Sequence, residues 1–441
     1  MRRFLALVLW IAVAAGAASE ETEPPASLEE LEQALRDTLQ THETPGLALA
    51  LVSRDAVLWT AGIGWADVAA GKQMDATTLL RVGSISKTFV SIAVLMLREE
   101  GLLNLEDRVR DLAPEIEFTN RWEETDPVRL VHLLEHTTGF DDIHLREYAH
   151  NDPNPISLHD ALAYNPSSRT SRWKPGTHFS YCNSGPPIAA YVIEKITGLS
   201  FEEFVRSRIF EPLEMSTASY FLDDDVERRL ARGYASDGAT EQPYWHISLR
   251  PSGSINASAP ELAHVVQLLL NRGTFRGRTL LAPESVERME TSTSTLAAKA
   301  GLRVGYGLGN YATVDGGFVW CGHAGGTNGY LADYEYIPEH GVGFVFMINA
   351  VQGGAFRAVR GLLRSYLTRD LDAPPLPVPD VSVAEFEAYS GYYEPMTPRV
   401  ELSRFLIRIL GITRVVLAED RVLFEPLFGE VRTGDTDAAP Q

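Results

Sequence analysis

From Leu28 to Leu39 apolar residues recur at helical spacing behind an acidic start, so the periodic part of the chain opens with an amphipathic helix. Two apolar runs follow, Leu47–Val52 and Ala56–Ala61, split by Ser53-Arg54-Asp55, and predict a hairpin of buried strands. Gly62, Gly64 and Gly71 mark turns before LRVGSISKTFVSIAVLMLR, residues 80–98, whose unbroken apolar stretch predicts a buried helix. From Ile92 to about Leu270 the pattern is mostly helical. Arg129–Glu135 leads to a closing Gly139, Pro187–Thr197 ends at Gly198, and Pro260 opens a helix running to Leu270. Loops rich in Pro, Asn and Asp fill 139–180. Strand signals return at Gly305–Gly309, Gly316–Cys321, Tyr330–Ile337 and Val342–Ile348, before a helix from about Phe356 to Thr368. The order strands, helices, strands, helix predicts an α/β (α+β sandwich) fold: an antiparallel sheet flanked by helices, with an inserted all-helical domain and a ligand cleft between them.

The run APPLPVP marks a stiff linker over 373–380, which separates this domain, 27–372, from a small β-rich C-terminal module over 381–441. In the module Ile412–Leu417 and Arg421–Phe424 predict a hairpin, and Leu402–Leu410 a helix. So short a stretch makes a thin core, which fits either an appendage docked on the main domain or an incomplete module.

A hydrophobic content of 45% over 441 residues is enough for a large core. The net charge of −20 repels polyphosphate and argues against nucleic acid as a partner. Residues 1–19, MRRFLALVLWIAVAAGAAS, combine two arginines, a short apolar run and small residues, the pattern of a cleaved secretory signal. The run falls short of a bilayer span, so the mature chain is expected to be exported, periplasmic or extracellular, without a stable membrane span. Cys182 and Cys321 can pair there or remain two buried thiols. Oligomeric state is not legible.

Ser84 and Lys87 stand three apart at the head of the buried helix, one turn from each other on one face. A serine hydroxyl becomes a nucleophile when a neighbour takes its proton, and lysine can do so only when neutral. Bringing a lysine from ~10.4 to near 7 takes roughly 4.6 kcal/mol, supplied by burial and positive neighbours. Val82, Ile85, Phe89 and Val90 offer the dry setting. Ser-x-x-Lys recurs at Ser171–Lys174, but Pro175 and Gly176 bar a helix there. Two further stretches carry chemistry: Tyr181-Cys182-Asn183, in a loop before a helix, where the phenol can relay a proton, and His323-Ala324-Gly325, where glycine permits close backbone approach.

Together these three motifs resemble those of the serine β-lactamase and penicillin-binding protein superfamily, in its class C-like esterase and D-aminopeptidase-like branch. The likeness covers roughly 27–370. It extends to LLNLEDRVRDLAPE from Leu102, VRLVHLLEHTTGF from Val128, RIFEPLEM from Arg208 and PSGSINASAPELA from Pro251. The resemblance implies a β-lactamase/transpeptidase-like fold, Ser84 as acylated nucleophile, Lys87 as its proton acceptor and Tyr181 as acid/base beside Asn183. It puts an oxyanion hole on the backbone N–H groups of Ser84 and Gly326, and it implies no cofactor or metal. The third motif departs from the Lys-Thr-Gly of penicillin-recognising members. His323 supplies no permanent cation for a substrate carboxylate. The resulting expectation is a hydrolase of small-molecule esters, amides or peptides. The alternatives are a β-lactamase or D,D-carboxypeptidase, and a non-catalytic scaffold retaining the fold. Phe140, Tyr244, Trp245 and Tyr330 are candidates for either an acyl pocket or the core.

Overall fold

The computed structural model describes residues 23–374 and 389–433, apart from 145–146, 148, 151, 165, 419–420 and 428–431. The leader expected over 1–19, the linker from 375 and the first residues of the module lie outside the described residues.

Helix α1, Leu28–Thr41, is capped by Ser27, whose side chain accepts from the Glu30 N–H. Strands β1 (Gly46–Ser53), β2 (Val57–Asp67) and β3 (Lys72–Gln73) follow. The helical insertion contains α2 (Ser86–Glu99), α3 (Gly185–Thr197) and α4 (Ala259–Leu270). Gly198, at φ 72°, closes α3, and a Ser258/Glu261 capping box opens α4. The chain then returns through β4 (Gly305–Tyr306), β5 (Tyr311–Asp315), β6 (Phe318–Thr327), β7 (Tyr330–Ile337) and β8 (Val342–Ile348) to α5, Gly353–Thr368. These strands form one eight-stranded antiparallel sheet in the order β4-β5-β6-β7-β8-β1-β2-β3.

Alternation along β1 splits the core in two. Leu47, Leu49 and Leu51 join Phe344, Phe346 and Ile348 under α1 and α5. Ala48, Ala50 and Val52 join Val345, Met347 and the buried faces of α2 and α4 on the other side. His323 pairs with Tyr334 across β6 and β7, and therefore faces the helical domain. Asp333 and Glu335 face α5 instead. There Arg360 Nε meets Asp333 at 2.6 Å, and Arg364 grips Glu335 through Nε at 2.7 Å and Nη2 at 2.8 Å. Both carboxylates have fully buried side chains. Arg364→Met is expected to destabilise the protein by about 3 kcal/mol, because it strands the Glu335 charge in the core. A denaturant titration checks this, and a loss below about 1 kcal/mol would show that Arg360 alone neutralises the pair.

Four expectations change. Gly62 and Gly64, expected as turns, lie inside β2, which continues past Ala61 to Asp67. The strand expected over Gly305–Gly309 shrinks to Gly305–Tyr306, and the segment Tyr311–Asp315 is the full strand. The strand expected to stop near Cys321 continues through the whole His323 motif to Thr327. Glycines and alanine carry little strand propensity, and here pairing with β7 overrides it. The helix expected to run to a Gly139 cap ends at Leu134, and His136 takes up a left-handed conformation at φ 54°. The module's described part pairs β9 (Gly391–Tyr393), β10 (Thr413–Ala418), β11 (Arg421–Pro426) and β12 (Arg432–Thr433) in that order, with α6, Arg404–Leu410, between β9 and β10. Cys182 and Cys321 are both buried free thiols. Among the described residues no helix is long and apolar enough to cross a membrane.

Candidate active site

Gly83–Ile85 form a tight turn that runs directly into α2. The turn is held from two sides. The Val82 N–H donates to the Ile255 carbonyl at 3.0 Å, and the Ser86 hydroxyl donates to the Gly83 carbonyl at 2.8 Å. On the other side β6 lies so close that a Cβ on Gly83, at φ 54°, would sit 2.6 Å from the Gly326 nitrogen. A Cβ on Gly325 would sit 1.9 Å from the Val82 oxygen and 3.0 Å from the Ser84 nitrogen. Close packing of backbone on backbone thus fixes Ser84 against the strand carrying the third motif.

Ser84 remains partly accessible, while Ser86, Lys87 and Thr88 are buried. The Lys87 side-chain nitrogen lies 3.0 Å from Ser84 Oγ and 2.6 Å from the Ser252 carbonyl oxygen. Burial holds the lysine well below its ordinary range, and the Arg399 charge acts in the same sense, while Asp142 and Cys182 oppose it. The Lys87 nitrogen also stands 5.1 Å from the centre of the Tyr181 ring.

Tyr181 sits in an aromatic cluster. The His136 ring is 4.1 Å from it, and Tyr306 and His323 lie at 5.9 and 6.5 Å between centroids. His323 Nδ1 donates to the Ala324 carbonyl at 2.6 Å, so Nε2 accepts from the Tyr306 hydroxyl at 2.7 Å. Burial, with Lys87 nearby, pushes His323 down to about 3, and the ring stays neutral at pH 7. The motif therefore offers no cation.

Asn183 turns its side-chain nitrogen to Asp142, at 3.1 and 3.3 Å from the two carboxylate oxygens, and its backbone N–H donates to the same group at 2.8 Å. It reaches Lys87 only indirectly: its carbonyl accepts from the Ser252 hydroxyl at 2.5 Å, and the Ser252 carbonyl holds the lysine. Asp142 in turn accepts from Arg399 Nε at 2.6 Å. The Arg399 guanidinium carbon lies 4.8 Å from the Tyr181 ring centre.

The structure thus brings Ser84, Lys87, Tyr181, His323 and Gly326 together and sets Asn183 behind them. Sequence reasoning had not singled out Ser252, Asp142, His136, Tyr306 or Arg399. Ser252 and His136 lie inside stretches already noted, PSGSINASAPELA and VRLVHLLEHTTGF. Arg399 carries no local signal, because its contacts with Asp142 and Tyr181 come from outside the main domain.

Beside the Ser252 segment lies a cavity of about 260 Å³ walled by Pro153, Tyr220, Phe221, Tyr244, Ile247 and Ser254. Of the four aromatics considered for an acyl pocket, Tyr244 lines it. Phe140 is core, and the buried Tyr330 hydroxyl donates to the Ala231 carbonyl at 2.6 Å. Among the described residues no cluster of His, Cys, Asp and Glu could hold a metal ion.

The family model described as Beta-lactamase matches residues 31–367. Penicillin-binding protein 4 of Amycolatopsis lactamdurans is 26% identical over 376 residues, 81% of this chain and 95% of that protein. Protein flp of Staphylococcus aureus is 25% identical over 255 residues, which cover 56% of this chain but only 49% of that longer protein. Among solved structures, the octameric penicillin-binding protein homologue from Pyrococcus abyssi superposes with a TM-score of 0.67 at 24% identity, over 92% of this chain and 90% of its own. A structure of SurE with D-Leu gives 0.62 at 22%, over 91% and 87%. At these identities the structural likeness speaks for the fold.

Proposed function

The chain belongs to the beta-lactamase family, with its serine hydrolase-type function, and from that premise we propose that it cleaves ester or amide bonds through an acyl-enzyme on Ser84. The observation that carries this reading is the 3.0 Å approach of a buried Lys87 nitrogen to a partly accessible Ser84 hydroxyl. Burial favours the neutral amine, which keeps one N–H on the Ser252 carbonyl and turns its lone pair to the serine. Ser84 then attacks the substrate carbonyl, and the backbone N–H groups of Ser84 and Gly326 hold the oxyanion. Tyr181, with Lys87 close to its ring, passes the proton to the leaving group. Water hydrolyses the acyl-enzyme by the reverse relay.

A neutral His323 favours substrates that need no charge at the third motif. The name of the Amycolatopsis relative supports a second reading, a penicillin-reactive or cell-wall peptidase activity. Export of the chain, on the leader-like residues 1–19, is part of the proposal.

Intact-protein mass spectrometry separates the readings. Exposure to a fluorophosphonate is expected to add one adduct to the native chain and none to Ser84→Ala. Exposure to a penicillin is expected to leave no persistent adduct, and a stable one would move the assignment to the cell-wall reading. A folded chain inert to both reagents would sink the hydrolase proposal.

A further inference from the structure

The segment between β9 and α6 reaches from the C-terminal module to the main domain and packs beside Asp141, Asp142 and Tyr181. The Pro398 carbonyl accepts from Arg172 Nη1 at 2.8 Å, the Arg399 carbonyl accepts from the Asp142 N–H at 3.1 Å, and the Glu401 N–H donates to Asp141 at 2.8 Å. Arg172 also meets the Glu401 carboxylate at 3.2 Å. Backbone and side chain both engage, so the segment has a fixed register rather than a loose contact.

That register delivers one cation into the site. Arg399 pairs with the buried Asp142, lies 4.8 Å from the Tyr181 ring centre, and keeps 42% of its side chain exposed. Arg399 Nε donates to Asp142, which accepts from the Asn183 side chain; the Asn183 backbone carbonyl accepts from the Ser252 hydroxyl, and the Ser252 backbone carbonyl accepts from Lys87, so the residues Asp142, Asn183 and Ser252 link Arg399 to Lys87. We propose that the C-terminal segment is a working part of the active site, and that Arg399 is a positioning residue that holds Tyr181 and, through Asp142 and Asn183, the carbonyl that fixes Lys87. The inference rests on the Ser84 acyl-transfer reading above. Its electrostatic side is consistent. The charged and titratable groups around Lys87 are Tyr181, Cys182, Asp142, His136, His323 and Arg399, and of these Arg399 is a permanent cation, acting to keep the lysine neutral.

The test uses the full chain with Arg399→Gln and Arg399→Lys. Removing the cation, and leaving Asp142 unneutralised, stabilises protonated Lys87, so the acid limb of the pH–rate profile moves to higher pH. In Arg399→Gln, kcat for a neutral ester at pH 7 is expected to fall by roughly 10- to 100-fold with little change in KM. Arg399→Lys keeps the charge and is expected to restore the limb. A second readout needs no turnover: the side-chain resonance of Lys87 in lysine-labelled protein, assigned by its loss in Lys87→Arg, is expected to titrate at higher pH in Arg399→Gln. Unchanged limb and lysine titration in Arg399→Gln, or equal loss in both variants with no displacement, would overturn the proposal and leave Arg399 a docking contact. A native chain that neither turns over esters nor takes the fluorophosphonate would fail the hydrolase reading alone, and the lysine titration would still decide the role of Arg399.

Discussion

Hydrolysis by Ser84→Ala falls by about 10⁴- to 10⁶-fold, Lys87→Met falls nearly as far, and the double variant is no slower than the worse single one. In the proposed mechanism the two side chains act as one device. The hydroxyl is an ordinary alcohol without an acceptor 3.0 Å away, and the lysine has no task once the hydroxyl is gone. Lys87→Met is the more informative change, because methionine fills the same buried volume without a charge. Its cost to stability is the Ser252 carbonyl left without its donor, on the order of 1 kcal/mol, offset by removing an amine from a dry site. Near-native melting with collapsed kcat therefore places the loss on chemistry. Multiplicative effects in the double variant would mean that Lys87 supports some step other than activation of Ser84, and Tyr181 would become the leading candidate for the base.

Gly325→Ala is the second large effect. The new methyl would lie 1.9 Å from the Val82 carbonyl oxygen, and both partners are backbone, so no rotamer change relieves the clash. The strand and the Ser84 turn must part, and a displacement near 1 Å at the nucleophile costs roughly 100-fold in rate. Overpacking of this kind also costs about 1–3 kcal/mol of stability. Gly326→Ala is the control: its methyl meets only the end of the Leu331 side chain at 3.1 Å, which can yield, and its N–H is retained. Melting temperatures and kcat measured side by side check the pair. Equal damage from both would show that the tolerance lies elsewhere than in the contact between β6 and the Ser84 turn.

Much of this architecture was legible in the hydrophobic pattern, because both faces of the sheet are covered and long apolar runs such as Leu47–Val52 and Val342–Ile348 leave little ambiguity. Ser84 and Lys87 were legible because their spacing and the apolar helix behind them are local facts. The extent of β6 was not, since a glycine-rich stretch becomes strand only through its neighbours β5 and β7. Asn183 shows the limit for the site: its type invites a substrate contact, but Asp142, far off in sequence, claims its amide. Arg399 shows it more sharply, because nothing near it in the chain foretells that it meets Asp142 and Tyr181.

The position of β1 in the sheet has a consequence for how the protein is made. It lies between β2 and β8, and its partner strand is encoded after the whole helical insertion. At about 5–20 residues per second, on the order of 15–60 s separates synthesis of the two strands, and throughout it the nascent β1 has an open hydrogen-bonding edge. Such an edge is a template for mispairing, so the nascent chain needs shielding until Ile348 has emerged. The Ser84 turn, emerging early, has no β6 to seat against until then. The Ser84 turn and the strand it seats against are accordingly assembled late, and the docking of the Arg399 segment comes after closure of the sheet.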